Sequence, residues 1–277
     1  MGMMNKTVTS AVELSDEDLF RLAPSIFANS AHSSRSEKFT PIPTSALITR
    51  MRKEGFIPVA ARQSKTRDES RHEFTKHMVR FRRPDQMILK MNEVFPETIL
   101  LNANDGSSSY ALMSGLWRVR CLNGLIISES AGPSVRVPHK GDIMGDVIEG
   151  SYRVMELSNK ALNAAENWSN IDLHRDEQEA LALSAAVVRF GDDQGNMKVE
   201  VDPREMLKVR RPDDRDNSLW MTFNRLQESA IKGGVEAKNK ESGRHRRSRA
   251  VNGIDGDVRV NRGLWLLGEM MAKLKSA

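Results

Sequence analysis

The stretch from residue 55 to residue 83 limits most strongly what this chain can fold into, because it has strand periodicity and is crowded with cations. Residues 56–66 and 74–81 are rich in residues that favour extended backbone. The segment between them, residues 67–70, is polar and typical of a turn. The pattern therefore predicts two antiparallel β-strands joined as a hairpin.

The second of these segments alternates in character, as a strand does when its two faces have different surroundings. Lys76, Met78 and Arg80 fall on one face, while Val79 and Phe81 fall on the other. One interpretation is a solvated hairpin whose charges only keep it soluble. The other is a ribbon that presents cations to a polyanion, because phosphate neutralisation needs clustered Lys and Arg side chains on one rigid element. On that interpretation the nucleic-acid-binding residues are Arg62, Lys65, Arg67, Lys76, Arg80, Arg82 and Arg83.

Around the hairpin, the first half of the chain predicts a small α+β fold. Ser15 before three acids predicts the start of a helix, and Thr44 predicts the N-cap of a second. Residues 98–102 form a compact apolar run that predicts a third strand, whereas residues 110–119 predict a helix after a Ser-rich cap. The simplest way to pack these elements in this order is a three-stranded antiparallel meander with a helix across one face.

The second half of the chain predicts mainly helices, because the apolar period changes to 3.6 after Asp142. Residues 235–256 interrupt this pattern with a polar, Gly-containing and strongly basic segment that predicts an exposed loop. Such a loop is either plainly solvated or closes on a phosphate backbone. Its candidate nucleic-acid-binding residues are Arg244, Arg246, Arg247 and Arg249.

These changes of pattern predict three regions in the chain. Residues 1–40 hold an N-terminal helix and a Ser-rich loop, residues 41–142 the basic-hairpin region, and residues 143–277 the helical region. The net charge of +5 and the pI of 9.4 favour an acidic partner. The one cysteine, Cys121, excludes an intramolecular disulfide and suits a reducing cytoplasm. With no membrane-length apolar run and no signal pattern, we expect a cytoplasmic protein.

Enzyme motifs are missing from the sequence: it has no Walker loop, GxGxxG, GxSxG, HExxH or CxxC. Metal-dependent nucleases need clustered carboxylates, and His139, Asp142 and Asp146 are the candidate ligands here. Acids at a junction between a strand and a helix are more often capping residues. We therefore expect no cofactor and no catalytic residues, and keep a metal-dependent nuclease as an alternative.

Several motifs resemble a known family, the phage- and plasmid-related proteins grouped as domain of unknown function 932. The motifs are residues 39–44 (FTPIPT), 55–56 (GF), 61–64 (ARQS), 74–77 (FTKH), 80–82 (RFR), 118–124 (RVRCLNG), 137–141 (VPHKG) and 261–265 (NRGLW). The resemblance covers the chain from about residue 16 onward. It implies a protein carried by prophages, plasmids and other mobile elements, and the family offers no agreed activity and no catalytic residues to carry over to this chain. The predicted order of elements is also similar in outline to phage single-strand annealing proteins.

The sequence thus favours a nucleic-acid-binding protein of phage and plasmid DNA metabolism that holds single-stranded DNA, or anneals strands, through backbone contacts. The alternatives are the metal-dependent nuclease and a protein-binding regulator or antagonist of a host system, in which the hairpin meets an acidic protein surface. Nucleic acid is the expected partner, a membrane is not, and a homo-oligomer is left open.

Overall fold

The computed structural model describes residues 12–30, 42–87, 94–118, 123–127 and 135–276. Contacts between residues divide the chain into two compact units, Met1–Leu162 and Asn163–Ala277. Most of the predicted Ser-rich loop, together with Cys121, lies outside the described residues.

The first unit is built on an antiparallel sheet with the order β1-β2-β3-β4-β5, in which β6 pairs with β4. The strands are β1 Ile57–Gln63, β2 His77–Arg82, β3 Val94–Asn102, β4 Tyr110–Arg118, β5 Asn123–Ile127 and β6 Val135–Val137. The predicted hairpin and the predicted third strand are confirmed, and so is the α+β class.

Three helices belong wholly or partly to this unit: α1 Asp16–Leu22, α2 Thr44–Lys53 and the first part of α3 Ile143–Trp168. Their apolar side chains pack on one face of the sheet in a single core. Leu47 of α2 and Val147 of α3 belong to this core together with Val79 and Phe81 of β2. The alternation in the second hairpin segment is therefore explained by a core on that face.

The helix predicted over residues 110–119 is wrong, because residues 110–118 form β4 in the middle of the sheet. All nine residues of β4 are buried, so neither face is exposed to solvent and its sequence shows no strand alternation. Pairing with β3, for example Leu100 opposite Leu112, decides the conformation. The sheet is consequently larger than the three-stranded meander that the sequence predicted.

Buried polar side chains join the start of α2 to the sheet. Thr44 is the first helical residue, not the predicted N-cap. Its Oγ1 atom lies 2.9 Å from His77 Nε2 and accepts a 3.1 Å hydrogen bond from Asn102 Nδ2. On the other side of the ring, His77 Nδ1 lies 2.9 Å from Ser25 Oγ. Asn102 also donates to Asn104 Oδ1, so Ser25, His77, Thr44, Asn102 and Asn104 are linked in one chain of buried polar groups.

The second unit combines helices with a small sheet. Its helices, after the last part of α3, are α4 Arg175–Phe190, α5 Pro203–Met206, α6 Leu219–Lys232 and α7 Ile254–Ser276. Its strands are β7 Val199–Glu200, β8 Glu236–Asn239 and β9 His245–Arg247, which pair in that order. The core centres on aromatic rings: those of Trp168 and Trp265 lie 4.4 Å apart, and Phe223 and Trp220 pack beside them.

The segment predicted as an exposed basic loop, residues 235–256, is instead largely ordered structure. Strands β8 and β9 form an antiparallel hairpin within it, and α7 begins at Ile254. Val235 and Ala237 are the inward-facing residues that anchor β8. This strand could not be recognised from the sequence because only two small apolar residues lie on its buried face.

The stability of the first unit should fall with acidification below pH 6.5, because burial lowers the pKa of His77 from 6.5 to about 4. Between pH 6.5 and pH 4, His77 binds a proton in the unfolded chain but not in the folded chain. The stability that it contributes is therefore fully present above pH 6.5 and is lost toward pH 4. The full loss is about 3 kcal/mol, at 1.36 kcal/mol per pKa unit. Urea unfolding at pH 7, 6 and 5 measures this slope; His77→Gln should flatten it, and His245→Gln, an exposed control, should leave it unchanged.

Candidate nucleic-acid interface

Two of the cations predicted to bind nucleic acid are buried inside the first unit. Arg80 and Arg82 both form ion pairs with Glu97, whose side chain is completely buried. Arg82 Nε donates to Glu97 Oε1 at 2.9 Å, and its guanidinium lies 4.2 Å from the ring centroid of Trp117. Burial lowers the pKa of Arg82, and the charge of Glu97 opposes that shift. These two side chains therefore neutralise a buried carboxylate and present no charge at the surface.

The other predicted residues of the first unit are divided between the rim of the sheet and an exposed connection. Arg83 is half-buried, donates to the carbonyl of Glu54 and lies over the ring of Phe56. Arg62 and Lys76 are half-buried as well. Lys65 and Arg67 are exposed in the connection between β1 and β2. The sequence predicted that the first hairpin gathers its cations on one surface. The structure instead distributes them between the interior, the rim of the sheet and the connection.

The second predicted group lies on the hairpin of β8 and β9, which we call the basic hairpin and define as residues 238–249. Its four predicted cations are exposed: Arg244, Arg246, Arg247 and Arg249. The turn at its tip is held by Asn239, whose Oδ1 accepts hydrogen bonds from the backbone of Glu241 and Ser242. Gly243 supplies the positive φ, +65°, that completes the turn. The cations therefore project from an ordered support.

Most cations of the basic hairpin lack an acidic neighbour. Residues 238–249 contain six Lys and Arg and one acid, Glu241. Arg247 pairs with Glu236 at 3.0 Å. The other five cations form no ion pair within 4 Å with any acid in the described part of the chain; they are Lys238, Lys240, Arg244, Arg246 and Arg249. The hairpin therefore keeps a positive charge that its own neighbours do not cancel.

Lys198 joins this surface from the neighbouring strand. The carbonyl of Lys198 accepts a hydrogen bond from the backbone of Lys240 at 3.0 Å, which extends the pairing of β7 with β8 by one step. The two exposed lysines are therefore directly opposite, an arrangement that like charges disfavour. Sequence reasoning missed Lys198 because β7 has two residues; the alternation of Lys198, Val199, Glu200 and Val201 was its only signal.

This surface can bind phosphates but has little means of reading bases. The large aromatic side chains of the unit are in its core, where Trp220, Phe223 and Trp265 are buried. Helix α6 is buried along eleven of its fourteen residues, so it cannot enter a DNA groove as a recognition helix does. The exposed groups at the hairpin are cations, which contact the backbone of any sequence alike.

The metal-site alternative has no support in the geometry of its residues. Asp142 Oδ1 accepts a 3.0 Å hydrogen bond from the backbone of Gly145, so it caps the start of α3. His139 packs against Tyr110, with ring centroids 4.6 Å apart, and burial lowers the pKa of His139. Within the described ranges, no three His, Cys, Asp or Glu side chains form a group that could hold a metal ion. Nor does any described helix have the length and apolar character to cross a membrane.

A family model described as "Domain of unknown function (DUF932)" matches residues 31–265. The chain belongs to this family. It is 45% identical over 258 residues to "UPF0380 protein YafZ" of Escherichia coli (strain K12), covering 93% of this chain and 91% of the relative. It is 44% identical over 258 residues to "UPF0380 protein YfjQ" of the same strain, with the same shares covered. No solved structure matches.

The match spans both units, so the basic hairpin lies within the part of the chain that defines the family. The motif residues 74–77 and 80–82 fall on and beside β2, where His77 and Arg82 have internal partners. Motif residues 39–41 and 119–122 lie outside the described residues.

Replacing Arg82 should destabilise the protein, whereas replacing Arg67 should not. Arg82→Ala removes a buried partner of Glu97 and opens space beside Trp117, which we expect to cost about 3 kcal/mol of unfolding free energy. Arg67→Ala removes an exposed cation and should stay within about 0.5 kcal/mol of wild type. Urea unfolding of the two variants measures the difference, and equal stabilities would contradict the structural role assigned to Arg82.

Proposed function

We propose that this protein binds nucleic acid by contacting phosphates with the basic hairpin. The observation that carries the proposal is the ordered support of β7, β8 and β9, which holds exposed cations without acidic partners. A folded protein gains nothing from placing Lys198 opposite Lys240, because like charges directly across a strand pair repel. A phosphate backbone supplies the opposite charge, and its binding releases counterions.

Single-stranded DNA is the form of nucleic acid we favour. Helix α6 is buried, and the two strands of the basic hairpin are only four and three residues long, which makes a short ribbon for reading a duplex groove. Cations along a narrow ribbon can follow one backbone whatever its sequence. Exposed aromatic side chains for base stacking are missing from the described part of the hairpin, so binding should depend strongly on salt.

The setting we propose is the DNA metabolism of phages and plasmids, with strand binding or annealing as the activity. This part of the proposal rests on the family resemblance of the motifs, not on a contact in the fold. An acidic protein surface is the competing partner, because a cationic hairpin also suits carboxylates. Because Arg can bind both carboxylate and phosphate through two parallel hydrogen bonds, a direct comparison of DNA with an acidic polypeptide is needed to separate the two partners.

A binding titration tests the proposal. Fluorescence anisotropy at several salt concentrations should show binding to labelled single-stranded DNA, with duplex DNA, RNA and poly-glutamate as comparisons. The double variant Lys240→Gln and Arg244→Gln should bind weakly, and its log–log salt slope should fall by about 1.4, or about 0.7 for each lost phosphate contact. Its thermal stability should be unchanged because Asn239 and Gly243, which hold the turn, are retained.

The matched control is Arg153→Gln with Lys160→Gln, which removes the same charge from two exposed positions of α3. This control should bind DNA as wild type does. Equal losses in both double variants would show a response to net charge and contradict a site at the hairpin. Binding to poly-glutamate as tight as binding to DNA would favour the protein partner instead.

A further inference from the structure

The chain that leaves the basic hairpin runs across the carboxyl end of α6 in close contact. The backbone of Ser248 donates to the carbonyl of Val235, and that of Val251 donates to the carbonyl of Ile231, both at 2.8 Å. A Cβ atom on Gly233 would lie 2.6 Å from the carbonyl carbon of Arg249, so only glycine fits this approach. Arg249 is thereby fixed in position while its side chain remains exposed.

Two further arginines are held at the same end of the helices. Arg189, in the last turn of α4, donates from Nε to the carbonyl of Ala230 and from Nη2 to that of Arg249, each at 2.8 Å. Arg259 of α7 donates from Nη1 to the carbonyl of Val188 at 2.8 Å. Carbonyls at helix carboxyl ends carry partial negative charge, which explains how these cations are held.

The carbonyls do not account for all of the positive charge collected here. Burial lowers the pKa of Arg189, and the charge of Arg259 lowers it further, so the two guanidinium groups repel. Neither Arg189 nor Arg259 forms an ion pair within 4 Å with an acid in the described part of the chain, and the same holds for Arg249. Each guanidinium has more donors than these carbonyls accept. The guanidinium groups of Arg189 and Arg259 are thus close together with hydrogen-bonding capacity to spare, and the backbone of Arg249 lies against Arg189.

We propose that Arg189, Arg249 and Arg259 form a second phosphate-binding site, which receives the same nucleic-acid strand that the tip of the basic hairpin binds. The inference rests on the proposed function. Arginine suits this role because its planar fork can donate two parallel hydrogen bonds to phosphate oxygens. Helix carbonyls fix the inner edges of Arg189 and Arg259, so little side-chain freedom remains to be lost when a phosphate binds.

The spacing along the chain sets the length of strand that reaches both sites. Arg244 at the tip and Arg249 are five residues apart, about 17 Å at about 3.3 Å per residue of a strand. A stacked nucleic-acid strand advances about 3.4 Å per phosphate, so about five phosphates span that distance. An oligonucleotide of about 4 nucleotides is therefore too short to reach both sites, whereas one of about 16 nucleotides reaches both.

Competition binding with single-stranded oligonucleotides of these two lengths tests the second site. Arg259→Gln should weaken binding of the longer strand about threefold or more and lower its salt slope by about 0.7, since one phosphate contact is lost. Arg259→Gln should leave competition by the short strand for the tip of the basic hairpin, Lys240 and Arg244, unchanged. Arg249→Gln should also weaken binding of the longer strand, and because its exposed side chain makes no hydrogen bond to described residues, it should not alter folding. Arg175→Gln, an exposed arginine at the other end of α4, is the charge-matched control.

The outcomes separate this inference from the proposed function. If Arg259→Gln and Arg249→Gln bind the longer strand as the Arg175→Gln control does, the second site is overturned, while a loss in the Lys240 and Arg244 double variant would leave the hairpin proposal standing. Equal losses on short and long strands also overturn it, because the effect would not depend on reaching a second site. Absence of binding by the wild-type protein would end both proposals together.

Discussion

Glu97 is a fully buried carboxylate, and the arrangement of the first unit depends on how its charge is compensated. A lone carboxylate in an apolar interior is very costly, so opposite charges must lie beside it. Arg80 and Arg82 provide that compensation from the neighbouring strand, and Trp117 covers the second guanidinium. The register of β2 against β3 is fixed by the same contact, since a one-residue shift would turn both arginines to the other face.

The same compensation distinguishes cations with a structural role from cations available for binding. In β2, Arg80 and Arg82 compensate the buried charge of Glu97. The cations of the basic hairpin have no such use, and Lys198 adds a charge that the strands alone would disfavour. An identical residue type thus serves two purposes, and the difference lies in whether an acid is within reach.

The basic hairpin and the arginines beside it share one physical principle. Strands β7 to β9 hold side chains by backbone pairing, while Arg189 and Arg259 are held by carbonyls at the ends of helices. Positions fixed in advance lose little freedom when a charged ligand arrives. A cationic surface built in this way does not need a recognition helix or exposed aromatic rings to hold a backbone.

The sequence by itself determined the α+β class, the pairing of β1 with β2 and most helices, because their periods and caps are local signals. It also located the cations of residues 238–249. Only the tertiary structure decided that Tyr110–Arg118 is a strand, since burial of both faces removes the period. It alone showed that Arg80 and Arg82 face Glu97, fifteen or more residues away, and that Lys198 lies against Lys240. Charge can be counted along a chain, but whether it is cancelled depends on what folding brings beside it.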